Sequence, residues 1–114
     1  NLAPDEPPRS MRGAFLALTL LAAAPAWAQE VGDPRAGRRM SETWCANCHR
    51  VAPQGPGPAT DVAPAFAAIA AMPSTTELSL RAFLQSSHRN MPNYQLSLDQ
   101  TDNVVAYIMS LRGR

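Results

Sequence analysis

The clearest hydrophobic pattern in the chain lies close to its C-terminus. Val104, Ile108 and Leu111 recur at intervals of four and three residues, the spacing that places side chains on one face of an α-helix. Ser97, followed three residues later by Gln100, forms a capping-box pattern at the start of this segment. The pattern therefore predicts a C-terminal helix with one buried face.

A second helix is predicted over residues 33–44. Asp33 has the side chain of an N-cap, and Pro34 suits the first helical position because its missing N–H has no helical partner there. One face would carry Ala36, Met40 and Trp44. Gly37 lowers helix propensity, and we interpret it as a point where another helix approaches closely.

Two shorter helices are predicted in the middle of the chain. Alanine-rich sequence favours one from Pro64 to Met72, and a capping box of Ser74 and Glu77 favours another that ends near Ser86. Proline, glycine and asparagine predict loops at 53–58 and 88–96. No strand pattern occurs, so the predicted fold class is all-α, with about four short helices.

The N-terminal region has a different composition. Residues 11–28 contain a basic start at Arg12, an apolar run from Ala14 to Ala24 and a small-x-small site at 26–28, as a secretory signal peptide does. As a helix, the eleven-residue run would rise only about 16 Å, too short for a bilayer core. An uncleaved anchor is the alternative. Residues 1–10 are proline-rich and patternless, and we expect an upstream or disordered extension there.

Cleavage after Ala28 would leave residues 29–114 as one small exported domain. Such a chain forms a small core and usually needs an additional stabilising element. The formal charge of the whole sequence is +1 and lysine is absent. Without a concentrated basic face, nothing indicates binding to nucleic acid.

The two cysteines, Cys45 and Cys48, are followed directly by His49. A disulfide between them would close a very small loop and constrain the unfolded chain little. A zinc site needs four ligands, and His88 is the one other histidine. A thioredoxin-like dithiol expects surrounding βαβ sequence, which is missing.

The C-x-x-C-H spacing is instead typical of covalent haem attachment. Two thiols separated by two residues on a helical turn can form thioethers with the two haem vinyl groups. The adjacent histidine then presents its imidazole to the iron. We therefore predict one covalent haem c, with Cys45 and Cys48 as attachment residues and His49 as a metal ligand. The haem would supply the apolar body that a small domain lacks.

A second axial ligand would determine the chemistry of the iron. Methionine raises its potential and suits electron transfer, whereas an open position would bind small ligands. Met91 is the candidate that we favour, because Pro92 stiffens the irregular loop around it. The alternatives are Met72, at a helix end, and His88. The predicted helix faces carry Met40 and Met109, which we expect to fill the core.

Three segments together resemble the small monohaem class I c-type cytochromes of bacteria. They are AGRRMSETWCANCH before and through the cysteine motif, MPNY at 91–94, and the C-terminal LSLDQTDNVVAYIMSLR. The resemblance covers nearly all of residues 32–112. It implies a cytochrome c-like domain at 29–114, with the helices packed around the haem.

The resemblance also implies roles for individual residues. Gly37 and Tyr107 match the contact between the first and last helices, and Pro64 matches the proline whose carbonyl accepts the second ring N–H of the haem histidine. Ala63 stands where the family has glycine before that proline. Tyr94 would pack on the haem or support its ligands.

The function implied is electron transfer and not catalysis. We expect a periplasmic carrier with His/Met ligation, redox-protein donors and acceptors, and membrane contact only transiently or through partners. One alternative is a dedicated subunit of a periplasmic dehydrogenase or oxidase complex. The other is a haem peroxidase or gas sensor with an open sixth position.

Overall fold

The computed structural model describes residues 31–88 and 90–114. This part of the chain contains four helices: α1 (Pro34–Trp44), α2 (Phe66–Ala71), α3 (Glu77–Leu84) and α4 (Leu98–Ser110). Its one extended pairing is an isolated bridge between His88 and Met91. The predicted all-α class with four short helices is confirmed.

Helix α4 supplies most of the hydrophobic core. Its buried apolar residues are Val104, Val105, Tyr107 and Ile108, and Leu111 follows directly behind the helix. The Ser97 side chain accepts from the backbone N–H of Gln100, and the Gln100 side chain accepts from that of Ser97 at 2.9 Å. The predicted capping box is therefore present, and it starts α4 with the apolar stripe facing inward.

Helix α1 packs directly on α4, and this is the most extensive contact between helices. Asp33 caps α1 by accepting from the backbone N–H of Arg35 at 2.8 Å, and that bond lowers the pKa of its carboxyl group. A Cβ atom at Gly37 would overlap the backbone carbonyl of Asn103 and touch Tyr107. The predicted close approach at Gly37 is confirmed, and the helix backbones are nearly in contact there.

Helix α3 differs from its prediction at both ends. Its capping box uses Thr76 and Ser79, not Ser74 and Glu77, and the helix ends at Leu84. The later start coincides with a second contact, because Arg112, two residues beyond α4, donates to the carbonyl of Thr75 at 2.5 Å. That carbonyl is thereby held outside α3.

Two polar contacts join α3 to α4. Arg81 Nε donates to Asp102 Oδ1 at 2.6 Å, and Gln85 Nε2 donates to Thr101 Oγ1 at 2.6 Å. The Asp102 carboxylate raises the pKa of the Arg81 guanidinium. These contacts position α3 beside the apolar face of α4.

Helix α2 begins at Phe66, two residues later than predicted. The Pro64 carbonyl bonds to a side chain instead of to the helix, as described below. At the other end, the Ala70 carbonyl accepts from Arg112 Nε at 2.9 Å. The predicted extension at 1–10 and signal peptide at 11–28 lie outside the described residues. Within the described ranges, no helix is both long and apolar enough to span a membrane.

Candidate functional site

The cysteine motif continues the path of α1 as a helical turn. The backbone N–H groups of Cys48 and His49 both donate to the Cys45 carbonyl, at 3.2 and 2.8 Å. This turn gathers the two sulfur atoms and the imidazole at the end of one helix. Both cysteines are half-buried free thiols, so they are not joined by the disulfide considered from the sequence.

The imidazole of His49 has a defined orientation. Its Nδ1 atom lies 2.7 Å from the carbonyl oxygen of Pro64. Since a carbonyl oxygen can only accept, the hydrogen must be on Nδ1, and Nε2 keeps its lone pair. The ring of Phe66 also contacts the imidazole, with the ring centroids 5.2 Å apart. Together these contacts leave Nε2 as the ring atom that could bind a metal.

The segment after His49 is held at two backbone carbonyls. The N–H of Phe66 donates to the Arg50 carbonyl at 3.0 Å. The hydroxyl of Tyr107, from α4, donates to the Val51 carbonyl at 2.9 Å in a buried position. Both bonds join this segment to residues far away in sequence, so the imidazole is positioned by the tertiary fold.

One cavity of about 870 Å³ brings all six predicted site residues together. Its lining includes Cys45, Cys48, His49, Pro64, Met91 and Tyr94. None of the described residues that line it is Asp, Glu, Lys or Arg. The volume falls in the range of roughly 300–1,000 Å³ that is usual for cofactor sites. An uncharged enclosure of this size suits a large apolar ring with a metal at its centre.

Comparison with known protein families identifies which cofactor the cavity is suited to hold. Residues 34–112 match the model of the family described as "Cytochrome c". The chain belongs to the cytochrome c family. It is also 34% identical over 97 residues to cytochrome c-552 of Bradyrhizobium diazoefficiens, an alignment covering 85% of this chain and 92% of the relative. No solved structure gives a significant match.

Membership of the cytochrome c family implies one covalently bound haem c and a role in electron transfer between redox partners, not catalysis. The cavity and its donor atoms fit that group. The two thiols lie on one turn, and the imidazole beside them has Nε2 available. In addition, the lining is uncharged, as the apolar porphyrin body requires.

The fold places the candidates for a second axial ligand in different environments. Met91, Met72 and His88 all line the large cavity. Met40 and Met109 pack against the hydrophobic core, although Met40 also borders a small recess beside the cavity. Met91 is half-buried, whereas Met72 is 46% exposed at the end of α2. The ring of His88 stacks on that of Phe83.

Burial raises the pKa of the Cys45 thiol, and a hydrogen bond with Ser41 offsets part of this effect. Cysteines in redox-active C-x-x-C motifs have a lowered pKa instead, because the thiolate is the reactive form. The environment of Cys45 therefore disfavours the dithiol alternative. It is compatible with a thiol that is consumed once, in forming a thioether.

Two aromatic contacts beside the cavity were not predicted from the sequence. The rings of Trp44 and Tyr94 are stacked, with centroids 6.3 Å apart and planes within 13° of parallel. The second contact is the His88–Phe83 stack. The adjacency of Trp44 to Cys45 was visible in the sequence, but nothing local identified its partner 50 residues later.

Proposed function

We propose that this cytochrome is an exported one-electron carrier with His/Met ligation. Cys45 and Cys48 would attach the haem, and His49 and Met91 would be the two protein ligands of its iron. The observation that carries the proposal is the bond from His49 Nδ1 to the Pro64 carbonyl, combined with Met91 in the lining of the same cavity. The bound haem supplies a ferric/ferrous couple.

The protein residues would tune that couple in opposite directions. A hydrogen bond from Nδ1 to a carbonyl makes the imidazole a stronger donor, which favours the oxidised state. A thioether from Met91 favours the reduced state, and so does an uncharged surrounding. With His49 and Met91 both holding the iron in both oxidation states, little rearrangement would accompany electron transfer, and small molecules would be kept from the iron.

A methionine substitution provides the test of ligation. In Met91→Ala holoprotein we expect loss of the weak long-wavelength charge-transfer band of Met-ligated ferric haem. The midpoint potential should fall by on the order of 0.1 V, a fraction of the roughly 0.8 V that axial ligands span. Met72→Ala is the matched control, because this methionine lines the same cavity at an exposed position.

The assignment fails if Met91→Ala keeps both the band and the potential of the wild type. Loss of the band in Met72→Ala instead would transfer the distal role to that residue. Instant binding of carbon monoxide to the reduced wild-type protein would support an open iron site, the chemistry of a sensor or peroxidase.

Export and the domain boundary belong to the same proposal. The signal-peptide pattern of residues 11–28 would direct the chain to the periplasm, where haem attachment takes place in bacteria. Residues 29–114 would then form the mature domain, which contains the whole matched range of 34–112. We expect N-terminal sequencing of the periplasmic protein to begin at Gln29. A mature chain that retains residues 11–28 would contradict cleavage.

A further inference from the structure

The loop that carries Met91 is tied at its far end to the residue after α3, because Gln85 Nε2 donates to the Leu96 carbonyl at 3.3 Å. Its backbone reverses at two residues with positive φ, Asn90 at 63° and Gln95 at 47°. Met91 N–H donates to the His88 carbonyl at 3.3 Å, and Gln95 N–H donates to Asn93 Oδ1 at 3.2 Å. These bonds are local. They shape the loop without attaching it to the helix that ends at the cysteine motif.

One contact between the loop and that helix is a pair of aromatic rings. Trp44 is the last residue of α1 and precedes Cys45, whereas Tyr94 follows Met91 by three residues. Their rings stack at a centroid distance of 6.3 Å, and both line the cavity. Tyr94 is 47% exposed, so its ring is not held in place by deep burial. The stack on Trp44 is the aromatic contact that ties this ring to the end of α1.

The start of the loop has a similar attachment. The ring of His88, which precedes Met91 by three residues, stacks on that of Phe83 in α3. Met91 thus lies between two aromatic contacts, one to α3 and one to the end of α1. If either contact is lost, that end of the loop can move away from the cavity, and Met91 moves with it.

We propose that Tyr94 is a positioning residue, whose stack on Trp44 slows the dissociation of Met91 from the iron. The proposal rests on the proposed function, since it takes Met91 as the distal ligand. Offset aromatic pairs stabilise by an amount equivalent to roughly two- to ten-fold in an equilibrium constant. Because the loop must open for the ligand to leave, losing the stack should raise the opening rate by a similar factor.

The test is the rate at which imidazole binds to the oxidised holoprotein at saturating concentration, where Met91 dissociation is the limiting step. Tyr94→Leu should raise this rate by roughly two- to ten-fold. Tyr94→Phe retains the ring and should restore the wild-type rate. Trp44→Leu removes the stack from the other side, so the test does not depend on one variant folding. Leu78→Ala, at a site 76% exposed on α3, is the control.

A double variant makes the test specific to the pair. If the two rings act through each other, Trp44→Leu combined with Tyr94→Leu should be no faster than the faster single variant. Additive effects of the two changes would overturn the proposal, and so would a wild-type rate in Tyr94→Leu with the charge-transfer band intact. A fast Tyr94→Phe variant would assign the effect to the hydroxyl and overturn it too. Absence of the band in the wild type would overturn the proposed function and this inference together.

Discussion

Substituting Gly37 by alanine tests the contact on which the fold depends most. The new Cβ would overlap the backbone carbonyl of Asn103 and lie 3.0 Å from the Cβ of Tyr107. Neither atom belongs to a flexible side-chain end, so α1 and α4 must separate. Overpacking of this kind costs up to about 3 kcal/mol, and the better helix propensity of alanine returns about 1 kcal/mol.

The expected net loss is therefore about 2 kcal/mol in the free energy of unfolding, equivalent to a fall in Tm of about 8–16 °C for a domain of this size. Equilibrium guanidinium unfolding of the oxidised holoprotein, followed by circular dichroism, measures it. Gly57→Ala is the control, because the atoms nearest to its Cβ belong to the Arg50 side chain, at 3.1 Å or more, and not to a helix backbone. Wild-type or higher stability in Gly37→Ala would refute the close helix contact.

Two further predictions concern buried polar contacts. Tyr107→Phe should cost about 1–3 kcal/mol in urea unfolding, because it leaves the Val51 carbonyl without a donor. Burial raises the pKa of Tyr107 above its ordinary value of 10.0, so the wild type should lose stability as the pH rises through the raised pKa, and the variant should lack this alkaline component. Asp102→Asn should cost about 1 kcal/mol, less at high salt, because Asp102 holds the half-buried Arg81 guanidinium. Unfolding at low and high salt tests this, with Glu42→Gln at an exposed ion pair as the control that should change little.

Two of the four helices could be predicted at nearly their observed bounds. In α1 and α4 the start signals are local, since Asp33 and Ser97 bond to N–H groups two or three residues further along. A helix start signal that forms within one helical turn can be recognised from the few residues of that turn. The same reasoning was wrong for α3, because two capping patterns overlap there: Thr76 and Ser79 form the cap, whereas the Thr75 carbonyl accepts from Arg112.

The chemistry of the site was contained in the order of residues along the chain. Two thiols and an imidazole at the C-x-x-C-H spacing meet on one helical turn wherever that turn lies, so the sequence alone was enough to predict a haem. The carbonyl that orients His49, the hydroxyl that holds Val51 and the ring that stacks on Trp44 come from 15, 56 and 50 residues away. Contacts over such separations exist only in the folded chain, which is why the tertiary structure alone decided how the ligands are held.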